Sequence, residues 1–457
     1  MNSISQKSTY ENNISSTIKN FFIENKISQI MAFCNFNKEK GISCSQIFMF
    51  IFSIVFTGRN FLYNLEKNSL INFGKDTVYR FLNSVHFNWS RLLLLLAIKT
   101  INFIKSLISQ KRVTVLIVDD SVYSRNKSKN VELLTRVRDH CENKYVKGFR
   151  MLTLGWSDGN SFIPFAFNLL SSVNKTNVLN SMNNEIDKRT NGYKRRLNSM
   201  VKEPDAMCEL LKDAKNNGIN ADFVLFDSWF AHPATIKNLK EMGFQSIAML
   251  KTTPKIYYEF NGKLQSLSQI YKVICKKRGK AKIISSVIAA IDNGNIPVKL
   301  VFVRDRNKKR NWLAILSTDV NLSSEEIVQI YSKRWNIEVF FKCCKSYLNL
   351  AKEFFCRNYD ALVAHTTIVF ARYIMLTIEN RKNKDQKTFG ALFNYYCDEL
   401  QEMSKFEAIQ ILLQMLKSAL KTKLMLTKKE LNAFFDEFMA SLPSYFKGFK
   451  LLRSCES

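Results

Sequence analysis

The spacing of hydrophobic positions changes twice along the chain. Over 43–56 and 89–108, apolar side chains recur at three- and four-residue intervals, which predicts helices. Between them, 76–82 predicts a short helix that Asp76 opens as a capping residue. Continuous aliphatic runs begin at 113, and helical spacing returns after about 320. The pattern predicts an α/β protein with helical ends.

The aliphatic and β-branched runs of the middle region predict strands. Two of them, 113–118 and 223–226, are apolar throughout, as in strands that are buried on both faces of a sheet. Other strands are predicted at 151–156, 163–169, 246–250, 282–291, 298–303 and 312–316. We therefore expect a sheet that continues through most of the middle of the chain.

Two aspartates directly follow the fully apolar strands. Asp119 comes after 113–118, with Asp120 as the alternative first carboxylate, and Asp227 comes after 223–226. Because α/β sheets bind ligands beyond the carboxyl ends of their strands, both carboxylates are expected in one site. A third would complete an oxygen cage suited to Mg²⁺ or Mn²⁺. Two such ions, about 3.5–4 Å apart, can activate water and stabilise the leaving oxygen in phosphodiester chemistry.

The late helical segment supplies a third carboxylate. Ser323 and Glu326 form a capping box that opens a long predicted helix. At about 3.6 residues per turn, one face of this helix presents four polar residues: Tyr331, Arg334, Glu338 and Lys345. Two cations beside a carboxylate suit a metal ligand that must also hold DNA phosphates. A solvated i,i+4 ion pair between Arg334 and Glu338 is the structural alternative.

The charge of the chain favours a polyanionic partner. With 68 Lys and Arg against 39 Asp and Glu, the net charge is +29. Drift towards lysine, expected from AT-rich coding DNA, is the alternative and could explain part of the lysine count. It explains less well why arginine is clustered at 194–196 and 304–310. Nucleic acid is therefore the predicted partner, and the first hundred residues are either a DNA-binding module or an ordinary helical subdomain.

Neither the N-terminal segment nor the apolar runs indicate a membrane. Residues 1–17 are polar, and the runs at 48–56, 92–108 and 363–378 are short or interrupted by polar residues. The 10 cysteines form no CxxC pair and only 4 histidines accompany them, so a zinc site is not expected. These observations predict a soluble protein of a cytosol, with reduced thiols.

The spacing Y-x2-R-x3-E-x6-K of the late helix resembles the signature of the insertion-sequence family four (IS4-like) of DDE transposases. Asp119-Asp120-Ser121 and Asp227-Ser228-Trp229 are similar to the two aspartate motifs of that family. The resemblance covers roughly residues 110–380. It implies a ribonuclease H-like catalytic core, with a β-rich insertion between the second aspartate and the glutamate.

The same resemblance implies the activity. Asp119, Asp227 and Glu338 would be the catalytic residues and would bind two Mg²⁺ or Mn²⁺ ions. The protein would be a DNA endonuclease and strand transferase that cuts at terminal inverted repeats and joins the ends to target DNA, as a homodimer. Trp312 is similar to a tryptophan that stacks on a flipped base, and core packing is its alternative.

These expectations divide the chain into five regions. They are a helical DNA-binding region (1–108), the first part of the core (109–240), the β-rich insertion (241–320), the second part of the core (321–383) and a helical C-terminal region that supports dimerisation (384–457). Two alternatives to an active transposase stay open at this point. One is a domesticated or inactive DNA-binding descendant, and the other is a nuclease of the same fold that only hydrolyses DNA.

Overall fold

A computed structural model describes residues 16–67, 72–139, 142–277, 281–305 and 311–382, together with scattered positions between 388 and 438. Helices occupy the described part of the first hundred residues: α1 Ser16–Glu24, α2 Ile27–Phe33, α3 Cys44–Ile54, α4 Phe61–Lys67, α5 Lys75–Leu82 and α6 Trp89–Ser106. Later helices are α7 Asn191–Ser199, α8 Glu203–Asn216, α9 Pro233–Glu241, α10 Leu267–Val273, α11 Ser324–Ser332, α12 Trp335–Ser346 and α13 Tyr359–Lys382.

The strands of the middle region join one mixed sheet. They are β1 Val115–Ser124, β2 Thr135–Asp139, β3 Lys144–Ser157, β4 Phe162–Leu170, β5 Phe223–Phe226, β6 Ser246–Leu250, β7 Tyr257–Phe260, β8 Lys263–Ser266, β9 Ile283–Ile291, β10 Ile296–Arg304 and β11 Trp312–Ser317. The order across the sheet is β2-β3-β1-β5-β6-β11-β10-β9-β7-β8, with β4 also paired to β3. Each strand predicted from the sequence overlaps one of these elements, although 113–114 and 282 lie just before β1 and β9.

Five of the strands form the part of the sheet that carries the two aspartate motifs. In the order β4-β3-β1-β5-β6, β3 runs antiparallel to both of its neighbours, whereas β1, β5 and β6 are parallel. This is the ribonuclease H-like arrangement, so the predicted fold class is confirmed. The parallel pairing of β1 with β5 brings Ile117 opposite Leu225, two residues before each aspartate. The two motifs are therefore side by side in the fold.

The strands between the second aspartate and the glutamate extend that core. β11 pairs antiparallel with β6, and β10, β9, β7 and β8 follow outward. The inserted strands thus continue the core sheet through β11 instead of forming a separate one. This edge-to-edge continuation gives β6 a hydrogen-bonded partner on the side that would otherwise be exposed.

Three local predictions were wrong. β1 does not end before Asp119 but continues to Ser124, because β3 provides a pairing partner along the whole of it. The late helix is two helices: α11 ends at Ser332, and α12 begins after Arg334. Helix α5 begins after Gly74, which makes no side-chain cap, and Asp76 lies within its first turn.

Helix α13 is the central helix of the fold. It is long and apolar enough to cross a membrane by length and composition, but the whole of its most apolar window is buried inside the protein. Here it packs on α6, β4 and α12 and also contacts α3 and α5. Each large apolar side chain buried in this way stabilises the fold by about 1.5–3 kcal/mol.

A buried ion-pair network fastens α13 to the N-terminal helices. The Arg372 guanidinium binds the Glu353 carboxylate at 3.0 Å and donates to the Phe52 carbonyl at the end of α3, also at 3.0 Å. His365 Nε2 lies 3.2 Å from the same carboxylate. Burial lowers the pKa of His365 below its usual 6.5, so the ring is neutral in the folded protein.

A second buried network corrects the interpretation of the basic cluster at 194–196. Arg196 is fully buried and grips Glu132 with two hydrogen bonds of 2.7 and 2.8 Å. Arg195 lies 2.6 Å from the buried Asp360 of α13. Both arginines are therefore packing elements of the core and do not face a nucleic acid. Of the other cluster, residues 306–310 lie outside the described residues.

We expect the free energy of unfolding to depend less on pH below 6.5 when His365 is replaced by glutamine. Because the folded pKa of His365 is depressed, the unfolded state takes up its proton first. Relative to His365→Gln, the wild type should keep its free energy of unfolding above pH 6.5. Below pH 6.5 that free energy should fall by at most about 1.4 kcal/mol per pH unit. Urea unfolding at pH 5, 6, 7 and 8 measures this difference.

Replacement of the exposed His86 by glutamine is the matched control and should follow the wild type at every pH. A constant stability difference between wild type and His365→Gln from pH 5 to pH 8 would contradict a neutral buried histidine.

Candidate active site

The first aspartate and the late glutamate share one arginine. Asp119 is buried in β1, and its Oδ2 accepts a hydrogen bond of 2.6 Å from Arg334 Nη1. Arg334 Nη2 donates to Glu338 Oε1 at 3.3 Å, one turn along α12. The break between α11 and α12 falls at Arg334, the residue before α12 begins. The guanidinium therefore bridges two carboxylates that are 219 positions apart in the chain, counting from 119 to 338.

Two other residues of the late segment bind the strands that carry the aspartates. Lys345 Nζ donates to the Ser121 hydroxyl at 2.6 Å. Tyr331 Oη donates to the carbonyl of Phe226, the residue before Asp227, at 3.4 Å. Successive side chains of a strand point to opposite faces, so Asp119 and Ser121 face α12 together. These contacts hold the helix pair against both aspartate strands.

The second aspartate lies in a tight turn at the end of β5. Its Oδ1 accepts a 2.8 Å hydrogen bond from the backbone N–H of Trp229, and Phe230 N–H donates to the Asp227 carbonyl at 3.3 Å. Phe230 is fully buried, which anchors the turn in the core. Trp229 is 52% exposed, although its indole N–H donates to Glu203.

Asp120, the alternative first carboxylate, has a different set of partners. Arg150 Nη1 donates to Asp120 Oδ2 at 2.6 Å, and Arg150 Nε lies 3.2 Å from Glu203 Oε1. Sequence reasoning missed Glu203, which opens α8 and is brought here only by the fold. Its position before Pro204, at a helix start, carried no signal for a contact with the turn after β5.

Crowding of carboxylates shifts their titration. The pKa of Asp119 is raised to about 7, first by burial and then by Asp120, Asp227 and Glu338, while Arg334 lowers it. Burial also raises the pKa of Asp227, with Asp120 and Glu338 adding to the effect. Each negative charge thus disfavours the next, and a bound cation would relieve that repulsion.

The donor set fits a divalent metal ion in kind. Carboxylate oxygens are the ligands preferred by Mg²⁺ and Mn²⁺. In the described residues, however, no group of three or more His, Cys, Asp or Glu side chains is arranged to hold a metal ion. Asp119 and Glu338 turn towards Arg334 instead. A metal would therefore compete with this guanidinium for the same oxygens.

Trp312, the candidate for base stacking, packs inside the sheet region. Its ring stacks on Tyr271 with centroids 4.4 Å apart and meets Phe302 edge to face at 5.4 Å. One ring face is thus covered, and stacking on a base would use the other. Base stacking by Trp312 stays a prediction. A different tryptophan, Trp335, is 66% exposed one turn before Glu338, and the sequence did not single it out.

Comparison with known proteins places this site within recognised domains. Residues 57–272 match the family model described as a DDE superfamily endonuclease, and residues 198–375 match the one described as a transposase DDE domain. The two matches overlap at 198–272, so residues 57–375 are similar to DDE-superfamily domains. Asp119 falls within the first match, Glu338 within the second and Asp227 within both. Domains described in this way are endonucleases and transposases, and they generally use divalent metal ions.

Individual relatives are more distant. The transposase for insertion sequence element IS1151 of Clostridium perfringens is 28% identical over 103 residues, which cover 20% of this chain. The match spans 22% of that relative's length, about a fifth. A cryo-EM structure of the piggyBac transposase synaptic complex with hairpin DNA aligns over 93% of this chain and 84% of its own, at 13% identity and a TM-score of 0.44.

We expect Arg334→Ala to destabilise the metal-free protein. Removal of the guanidinium leaves Asp119 and Glu338 facing each other without a cation, which should lower the unfolding free energy by up to about 3 kcal/mol. Millimolar Mg²⁺ or Mn²⁺ should raise the melting temperature of the variant more than that of the wild type, because the metal no longer competes with an arginine. Thermal unfolding with and without metal measures both effects.

Arg189→Ala is the matched control, because Arg189 makes an exposed pair with Asp187 at 2.8 Å. Its loss should change the melting temperature little. An Arg334→Ala variant as stable as the Arg189→Ala control would show that the buried bridge contributes nothing.

Proposed function

We propose that this protein is a cut-and-paste DNA transposase of the insertion-sequence family four type. It would cleave at the terminal inverted repeats of its element and transfer the 3′ ends into target DNA. The observation that carries the proposal is the Arg334 bridge, which joins the first strand aspartate to the glutamate of the late helix. The transposase domain matches across the same residues support it.

In this proposal Asp119, Asp227 and Glu338 would hold two divalent metal ions, either Mg²⁺ or Mn²⁺. When bound, the metal would supply activation of water and charge stabilisation at the scissile phosphate. Asp119 is favoured over Asp120 as the first ligand because it shares Arg334 with Glu338, whereas Asp120 is paired with Arg150. A bound cation would favour the charged form of Asp119, whose pKa burial and the neighbouring carboxylates raise.

The basic side chains of the late helix would then exchange their protein partners for DNA. Arg334 released from Asp119, and Lys345 released from Ser121, could each grip a phosphate, with Tyr331 holding the helix against β5. Trp312 would stack on an extruded base. We propose further that the helices of 1–108 bind the terminal repeats and that the protein acts as a homodimer in the bacterial cytosol. The C-terminal region proposed for dimerisation, 384–457, lies almost wholly outside the described residues.

The first test is Glu338→Gln, which should bind DNA but not nick it. The amide preserves the shape of the side chain and removes a charge that the metal requires. A gel shift beside a nicking assay in Mg²⁺, on DNA that carries the ends of the element, measures both properties. Glu325→Gln, on the exposed first turn of α11, is the control and should nick like the wild type. Wild-type nicking by Glu338→Gln would remove this residue from the active site.

The second test is salt dependence, since DNA held by phosphate contacts releases counterions. With a net charge of +29, binding to duplex DNA should weaken at least about tenfold between 50 and 200 mM salt, the loss for roughly two neutralised phosphates. Fluorescence anisotropy at several salt concentrations gives the slope. A flat profile would leave the charge as compositional drift. A strand-transfer assay separates transposition from hydrolysis alone.

A further inference from the structure

Trp229, two residues after the second aspartate, is fixed by two hydrogen bonds and by a buried neighbour, yet half of its surface faces solvent. Its backbone N–H is bonded to Asp227, its neighbour Phe230 is buried, and its indole N–H is bonded to Glu203. The residue is nevertheless 52% exposed. A large aromatic surface left in water at a functional site is a feature of binding surfaces.

Glu203 is the residue that fixes the ring. Its side chain is 13% exposed and lies between the indole of Trp229 and the guanidinium of Arg150. Arg150 in turn binds Asp120 of β1 and, at 3.0 Å, the carbonyl of Arg138. The indole is thereby connected to β1 and β3 as well as to the turn after β5. A ring that is fixed beforehand loses little conformational entropy when a partner binds.

The chemistry of the exposed part selects the partner. The indole N–H is already used by Glu203, so the ring offers an apolar aromatic face and no free donor. A phosphate gains nothing from such an apolar face. A nucleobase stacks on an aromatic face with about 1–3 kcal/mol, whatever its sequence.

We propose that the Trp229 ring is a stacking platform for an unpaired nucleobase of the DNA bound at Asp227, and that Glu203 is the positioning residue that holds the ring. The proposal rests on the proposed function, because it takes DNA as the substrate of this site. It assigns a base-contact subsite on the β5 side of the site, separate from Trp312, whose ring packs on Tyr271.

Photocrosslinking tests the platform directly. The probe is a single-stranded thymidine dodecamer with one 5-iododeoxyuridine, irradiated with the full-length protein at fixed salt. In the wild type, the crosslink should map to the tryptic peptide 216–237, which contains Trp229. Trp229→Ala should abolish that crosslink and weaken binding of the probe by about 5- to 150-fold, the loss for one stacked base. Trp229→Phe should retain most of both.

Two further variants separate a platform from a merely structural tryptophan. Glu203→Ala should lower the crosslink yield severalfold, whereas Glu203→Gln should retain most of it, because its amide oxygen still accepts from the indole. Trp229→Ala should leave the salt dependence of binding unchanged, since no phosphate contact is lost.

Tyr145→Ala is the matched aromatic control. Tyr145 is 72% exposed on β3, eight residues from Thr153, the partner of Asp119, which is roughly 26 Å along the strand. This variant should bind and crosslink like the wild type.

The platform is overturned if the crosslinks map elsewhere, or if Trp229→Ala binds the probe as the wild type does. An equal loss in Tyr145→Ala would also overturn it. Metal-dependent nicking by the wild type, measured in parallel, keeps the two proposals apart. If the wild type nicks DNA and Trp229→Ala binds the probe as tightly as the wild type does, only the stacking platform is ruled out. A wild type that does not nick but crosslinks through 216–237 removes the transposase activity and leaves a base-binding site.

Discussion

The structure depends on keeping several carboxylates together in a poorly solvated place. Asp119 is 7% exposed, and its burial, together with the neighbouring acids, raises its pKa. Such a cluster is unfavourable unless cations accompany it. Two arginines provide them here, Arg334 between Asp119 and Glu338 and Arg150 between Asp120 and Glu203. The active-site geometry of the metal-free protein is therefore an arrangement of ion pairs.

The surrounding fold has to be rigid enough to hold these pairs. Helix α13 passes through the centre, and its buried Arg372 and Asp360 bind groups from α3 and α7. The N-terminal helices are thereby joined to the catalytic core through charged contacts that exclude water. The long β1–β3 pairing fixes Asp119, Asp120 and Arg150 on adjacent strands. Displacement of an arginine from the site can then occur without loss of the scaffold.

Much of the fold could be predicted from local patterns, and the contacts between distant segments could not. Apolar runs located β5 and β6 at their observed bounds, because a strand buried on both faces has few polar positions. β1 was predicted too short, since its polar residues from Asp119 onward are paired by β3 and not by any local signal. The helix break at Arg334 was missed because helical spacing continues across it.

The candidate site shows the same division. Spacing alone indicated Tyr331, Arg334, Glu338 and Lys345, but the sequence assigned the cations to DNA, whereas each binds the protein here. Arg195 and Arg196 looked like a DNA-binding cluster and are buried in ion pairs, a difference that depends on Glu132 and Asp360, distant in the chain. Glu203 and the exposed Trp229 became recognisable only when α8 and the turn after β5 were in contact.

The central claim is that a divalent metal replaces Arg334 among the carboxylates. Anomalous diffraction from crystals of the protein soaked in Mn²⁺ tests it most directly. The account predicts a manganese peak within coordination distance, about 2.0–2.3 Å, of oxygens from Asp119, Asp227 and Glu338, with the Arg334 guanidinium moved away from Asp119. Manganese bound elsewhere, or saturating manganese with the Arg334–Asp119 contact intact, would contradict it.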